Sequence, residues 1–487
     1  MRTGAVVAAG LTGLALSPVL AADESVVGVF IFGRHADRLT KVSKDSHEGT
    51  KILTPEGSWE AFESGQFYQN RYMSNDSGFR IQGLNQTYQP NQFNAFASDS
   101  DVLEKTAQGF LQGLYPPLTS IDGQADTVQG SSLANGSFIE TPLGGYQYVY
   151  FTGMDGSTPD GIWLQGDANC PVYTNASNAY MDSPEFHQLN TSTFNFYQSL
   201  FPLVEGQLTK AQLNYGNAYG VFDYFMVNSV HNETFANLIA NKTDEFHQVR
   251  TLQDIYSKAL NYNSSNLDTT IGGQTMAGFI LQQLNLTETT GDAPYMTYAV
   301  GAYDIFYQLF GVLDLYNVNQ TVDTTFTGII NYAASAVFEL VESDNDKMIR
   351  FGFRNGTDES DTVLYYPILG SNSTEMPYTT FVSELTKKSI TDLKTWCNTC
   401  SAWSQDFCKV YSPDYLNAAA HNFKFSTSNL SLAGAGGIGA GVTLFVVALV
   451  LALAYLFFRK SRSTSSSIHS SPHTEVGSVS SAPKQEV

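Results

Sequence analysis

The hydrophobic pattern of this chain changes period several times. Residues 25–32 read Ser-Val-Val-Gly-Val-Phe-Ile-Phe, a continuous β-branched and aromatic run that predicts a strand buried on both faces. Over residues 102–114 the period becomes helical, and Val102, Leu103, Ala107, Phe110, Leu111 and Leu114 fall on one side. Asp99 or Ser100 can cap that helix, and Gly113 with Pro116 and Pro117 ends it. Residues 183–262 are largely helical in pattern, with candidate helices over 194–204, 210–230 and 246–260. Beyond Asp292 a strand is predicted over 295–300 and an apolar helix over 304–315. The runs 333–341 and 347–355 flank the turn-like Ser343-Asp-Asn-Asp346 and predict a β-hairpin. Strands and helices at both ends with helices between predict an α/β core interrupted by a helical insertion at roughly 183–270. No internal repeat is present.

Two further apolar runs concern the membrane. Arg2, the apolar stretch 5–20 and the small residues Ala21 and Ala22 predict a secretory signal peptide over 1–22. Residues 433–458 carry no charge and, at about 1.5 Å per residue, are long enough to cross a hydrocarbon layer of roughly 30 Å. Arg459, Lys460 and Arg462 follow, which places the Ser-rich tail, 459–487, in the cytoplasm as a disordered segment. The expected product is a single-pass type I membrane protein with its ectodomain, 23–432, extracellular or luminal. Gly437 and Gly441 form a GxxxG within the span, a helix-pairing motif that makes a homodimer an expectation.

Composition sharpens this picture. Among 487 residues, 43% hydrophobic and 13% aromatic exclude a wholly disordered chain. Basic residues number 25 against 46 acidic, a net charge of −21 that argues against nucleic acid as a partner. Thirteen Asn-x-Ser/Thr sequons, at Asn75, Asn85, Asn135, Asn175, Asn190, Asn232, Asn241, Asn263, Asn285, Asn319, Asn355, Asn372 and Asn429, all precede the expected span, as an ectodomain on the secretory route requires. Cys170, Cys397, Cys400 and Cys408 predict two structural disulfides with three connectivities open. Cys397-x-x-Cys400 has no second CxxC or histidine pair to complete a metal site.

The chemistry-bearing feature follows the first strand: Gly33-Arg34-His35-Ala36-Asp37-Arg38. Parallel sheets bind ligands at the carboxyl ends of their strands. Two guanidinium forks and an imidazole there suit one tetrahedral anion, and the imidazole can attack phosphorus. Asp304 holds the equivalent place after the second predicted strand, where it can act as a general acid if the two strands are parallel neighbours.

These residues resemble those of the histidine acid phosphatase family, a branch of the phosphoglycerate mutase-like superfamily that includes fungal acid phosphatases and phytases. The expected type is a fungal, membrane-anchored member. The family pattern R-H-G-x-R-x-P is met as Arg34-His35-Ala36-Asp37-Arg38-Leu39-Thr40. The helix ending in Pro116-Pro117 is similar to the family's S-A-x-x-F-x-x-G-L-x-P segment, and the His-Asp motif falls on Tyr303-Asp304. The stretch 332–340 resembles the hairpin strand that follows that motif. The resemblance implies a mainly parallel sheet with flanking helices and a helical cap, and phosphomonoester hydrolysis through a phosphohistidine on His35. Arg34 and Arg38 would hold the phosphate oxygens, Tyr303 would line the substrate site and Asp304 would protonate the leaving alcohol. The partner implied is a phosphorylated small molecule, with no cofactor and no metal. The departures are Ala36, Thr40, Val102 where the family carries a further Arg, and Tyr303 where it carries His. Lys105, one helical turn on, could restore the charge missing at Val102. The alternative is a non-catalytic surface glycoprotein that keeps the fold. His47, His187, His231, His247 and His421 have no ligand spacing and are expected in surface or capping roles. His469 and His473 fall in the expected tail.

Overall fold

The computed structural model describes residues 24–42, 52–120, 131–289, 294–317, 325–343, 346–358 and 362–419. The expected signal peptide, membrane span and tail lie outside these residues. No helix among the described residues is long and apolar enough to cross a membrane. Residues up to Ser412 form one unit; Pro413 opens a second, described only over the short helix 413–419.

Eight strands build one sheet: β1 (Glu24–Arg34), β2 (Phe93–Ser98), β3 (Thr152–Met154), β4 (Met296–Gly301), β5 (Ser335–Ser343), β6 (Asp346–Arg354), β7 (Leu364–Tyr366) and β8 (Glu375–Pro377). Their order is β3-β2-β4-β1-β5-β6-β7, with β8 also on β6. The core pairs β1·β4, β2·β4 and β2·β3 are parallel, and the strands from β5 onward continue the sheet antiparallel. The predicted hairpin is β5–β6, with Ser343 paired to Asp346 at its turn.

Side chains alternate across β1, so it feeds two cores. Phe30 and Phe32 pack with Phe306 and Phe279 from α6 (Tyr303–Val312) and α5 (Ile271–Thr289). Val29 and Ile31 face the opposite layer, α1 (Pro55–Tyr72) and α2 (Asp101–Leu114), through Ala61, Tyr68 and Phe110. α1 and α2 cross at glycines. A Cβ on Gly65 would lie 2.0 Å from the Phe110 carbonyl oxygen, and one on Gly113 2.0 Å from that of Phe62. Only glycine permits this approach. Ser100 occupies the N-cap of α2, as the pattern predicts, but its hydroxyl makes no capping bond.

The segment between β3 and α5 is helical and carries its own apolar core. α3 (Ala218–His231) and α4 (Thr243–Asn261) bury Val221, Phe225 and Val249 against Tyr197, Leu213 and Tyr215. Of the three cysteine pairings open to the sequence, the chain adopts Cys170–Cys400 and Cys397–Cys408. The two cysteines of the CxxC thus go to different partners, and both bridges surround α7 (Leu393–Cys400).

Candidate active site

β1 and β4 are parallel neighbours in a register that pairs Arg34 with Gly301. The His35 amide then donates to the Gly301 carbonyl, at 3.1 Å. The histidine motif and the start of α6, with Asp304 in its first turn, therefore leave the sheet at the same edge.

The motif loop is held from three sides. The Ala36 amide donates to Thr106 Oγ1 of α2 (3.2 Å), which itself donates to the Val102 carbonyl. The Asp37 amide donates to Glu60 of α1 (2.7 Å), and Thr54, the N-cap of α1, donates its hydroxyl to the Asp37 carboxylate. His231, at the end of α3, holds Asp37 Oδ2 from the insertion at 2.6 Å. His231 was expected in a surface or capping role; it is exposed in the last turn of α3, and it also ties the insertion to the core.

His35 is 4% exposed, and its Nδ1 lies 2.8 Å from the Ala36 carbonyl oxygen. A carbonyl can only accept, so Nδ1 carries the proton and Nε2 presents its lone pair. Burial, then Arg34 and Arg38, hold the imidazole well below its ordinary pKa. Both effects favour the neutral form of the ring.

The two arginines are buried beside it. Arg34 donates from Nη1 to the Ile330 carbonyl, and its guanidinium lies 4.3 Å from the Tyr332 ring centroid and 5.6 Å from that of Tyr303. Arg38 donates from Nη2 to Asp223 Oδ1 (2.6 Å) and to the Tyr219 hydroxyl (2.9 Å), both on α3. Burial opposes its charge, but Tyr219 and Asp223 outweigh that and keep the pKa raised. Asp223 Oδ2 also accepts from Thr40 and from the Lys41 amide. Nε of each arginine is buried without a hydrogen-bond partner.

Lys41 is a third cation that the motif reading did not include. Its ammonium is 3.3 Å from the Tyr219 hydroxyl and is lowered to about 8, by burial first and then by Arg38. Lys105 does not fill that role: it pairs with Asp101 (2.6 Å) on the outer surface of α2, and both side chains are half exposed. Val102 is packed in the core. Tyr303 stacks on Tyr219 at 5.2 Å and bonds its hydroxyl to Ser257 of α4, so its ring, not its hydroxyl, borders the arginines.

Asp304 follows the end of β4. Its carboxylate accepts from the Ile305 amide and its field reaches Lys41 and Tyr219 on one side and Asp167 on the other. Burial, then Asp304, push the Asp167 carboxyl upward. Asp223, Tyr219 and Asp167 carried no local motif, and Tyr332 was read only as the start of the hairpin strand. The one sequence signal was Asp223, a lone acid within the apolar run Val221-Phe-Asp-Tyr-Phe225, which requires a buried partner. Among the described residues no group of His, Cys, Asp or Glu could hold a metal ion.

The sequence matches the family model of the histidine phosphatase superfamily (branch 2) over residues 29–354. No curated protein matches it. Solved structures of similar fold include the Hafnia alvei phytase in complex with tartrate (TM-score 0.51, 14% identity, 78% of this chain and 99% of that one) and the Citrobacter braakii phytase (0.51, 12%, 77% and 99%). The phytase from D. castellii aligns with a TM-score of 0.50 at 14% identity, over 79% of this chain and 83% of its own.

Proposed function

The chain belongs to the histidine phosphatase superfamily (branch 2), and from that premise we propose that it hydrolyses phosphomonoesters through a phosphohistidine on His35. The observation that carries this is the buried His35 ring, whose Nδ1 sits 2.8 Å from the Ala36 carbonyl oxygen, an arrangement that leaves Nε2 as the unprotonated nitrogen. Nε2 attacks phosphorus, the ester P–O bond breaks, and the departing oxygen takes a proton from Asp304. Water then attacks the phosphohistidine, returns a proton to Asp304 and releases phosphate. Arg34, Arg38 and Lys41 carry the positive charge that stabilises the equatorial oxygens. The Hafnia alvei phytase has been solved with myo-inositol hexakis sulphate; only the broad class, a phosphorylated small molecule, is carried from it. Purified protein should hydrolyse an aryl phosphate at pH 4–6 and His35→Ala should not; equal rates for the two would end this reading.

Acidic working conditions are supported by three partly buried carboxyls. Glu60 is raised to about 7 and Asp254 to about 6, each by burial, and Asp167 is raised as well. Each favours the folded state below its unfolded pKa, and that stability is lost as pH rises through the folded value. Placement of the site outside the cytoplasm, on a membrane-anchored fungal-type chain, is supported by both disulfides and by sequon exposure. Asn75, Asn85, Asn135, Asn175, Asn232, Asn241, Asn263, Asn285 and Asn372 are all exposed. Endoglycosidase treatment of protein from its native host should lower its apparent mass.

One observation favours a second reading, an anion-binding glycoprotein without turnover. Arg38 is already engaged by Asp223, and Val102 adds no charge. A phosphohistidine trapped by rapid acid quench argues against it; phosphate binding with no trapped intermediate and no turnover argues for it.

A further inference from the structure

A second hollow opens one strand along the same sheet edge. β2 lies beside β4 on the side away from β1. The segment that leaves its carboxyl end, Ser98-Asp99-Ser100, meets Gln165, Asp167 and Asp304 around a cavity of about 370 Å³. Asp304 is shared: it lines this cavity, and its charge reaches Lys41 beside the arginines. Among the described residues no lysine, arginine or histidine lines the cavity. Ser98 is 1% exposed, and its hydroxyl, like that of Ser100, has no hydrogen-bond partner among the described residues. A buried hydroxyl left unpaired costs free energy until a ligand group meets it.

We propose that this cavity seats the leaving alcohol of the phosphomonoester and selects an uncharged, hydroxyl-bearing alcohol over one that carries further phosphates. The inference rests on the phosphatase reading above and adds its substrate class. In phosphoryl transfer the attacking and leaving atoms lie roughly in line. With His35 at the end of β1, the departing oxygen points toward Asp304 at the end of β4, and the alcohol behind it extends toward β2. There it meets hydroxyl and amide donors from Ser98, Ser100 and Gln165, and carboxylate acceptors from Asp99 and Asp167. A second phosphate on the alcohol meets the Asp99 carboxylate with like charge, and no cation among the lining residues offsets it.

The test compares glycerol 2-phosphate, myo-inositol hexakisphosphate and p-nitrophenyl phosphate on the full-length protein and on its Asp99→Lys and Ser98→Ala variants, with thermal unfolding as the folding control. Wild type should favour glycerol 2-phosphate over the hexakisphosphate by at least tenfold in kcat/KM. Asp99→Lys, at the exposed mouth, should narrow that ratio at least fivefold. Ser98→Ala should raise KM for glycerol 2-phosphate several-fold more than for p-nitrophenyl phosphate. Equal or better use of the hexakisphosphate, or a ratio unmoved by Asp99→Lys, overturns the inference and leaves the phosphatase reading standing. Failure to hydrolyse any of the three esters overturns both.

Discussion

Two arginines among the described residues, Arg71 and Arg38, pair with buried carboxylates in different ways. In the scaffold, Arg71 of α1 donates from Nε and Nη2 to Glu339 Oε1 of β5 at 3.1 and 3.0 Å and stacks on Phe79 at 3.5 Å. Tyr72 and Tyr365 donate their hydroxyls to the same carboxylate, so both of its oxygens are filled. At the sheet edge, Arg38 has a single short bond to Asp223, and its Nε is buried without a partner. There Arg34, Arg38 and Lys41 cluster together, with the charges of Asp223 and Asp304 reaching Lys41. The first pair is electrostatically closed; the second leaves an excess of positive charge and donors for a ligand. Closed networks hold folds together, and open ones at a strand terminus recruit anions.

Substitutions can break or sharpen this contrast. Glu339→Leu strands the Arg71 charge beneath the sheet and should lower unfolding free energy by about 3–5 kcal/mol in urea titrations. The activity of the molecules still folded should stay within about twofold. Arg38→Ala should do the reverse: a loss of roughly 10²–10³ in kcat/KM, about 3–4 kcal/mol of transition-state stabilisation. Its effect on stability should be smaller, because Asp223 keeps its bonds from Thr40 and Lys41. Glu60→Gln tests how the site side titrates. The folded chain keeps the Glu60 proton up to about 7, whereas the unfolded chain releases it near 4.5. The variant should therefore match wild type at pH 4.5 and exceed it by about 2–3 kcal/mol at pH 8, read by denaturant unfolding at both pH values. The smallest effect is expected for Asp223→Asn. Removing the charge beside Arg38 should tighten competitive inhibition by inorganic phosphate about fivefold, close to 1 kcal/mol.

The elements legible in the sequence are those whose pattern is strong on its own: β1, α2, β4, α6 and the β5–β6 hairpin. They position the motif residues, which is why the shared edge of His35 and Asp304 could be anticipated from two strands. α1 was not legible because four of its six buried residues, Gly57, Ala61, Ser64 and Gly65, are small; Gly65 is shaped for close approach to α2 and Gly57 for the Asp37 backbone, not for hydrophobicity. α5 hides for a related reason: Gly272, Gly273 and Gly278 interrupt an otherwise apolar helix, the last two where the Gln308 and Ile390 backbones pass within contact distance and the first where the Ile305 and Gln308 side chains do. β2 is six residues, half of them Ala or Ser, too short to stand out. At the site, Arg34, His35 and Arg38 were readable because chemistry clusters them within five residues. Tyr219, Asp223 and Asp167 arrive from elements remote in sequence, and only the tertiary fold brings them near.

The Cys170–Cys400 bridge joins residues 230 apart, and the whole helical insertion, β4 and the β5–β6 hairpin lie between them. A protease that nicks a surface loop of the insertion, such as that at Gly206, cuts inside this covalent ring. The two fragments would then migrate as one species on a non-reducing gel and part only when a thiol is added. A clipped chain would keep His35 and Asp304 tethered to the same molecule, so proteolytic wear on the insertion need not end its working life.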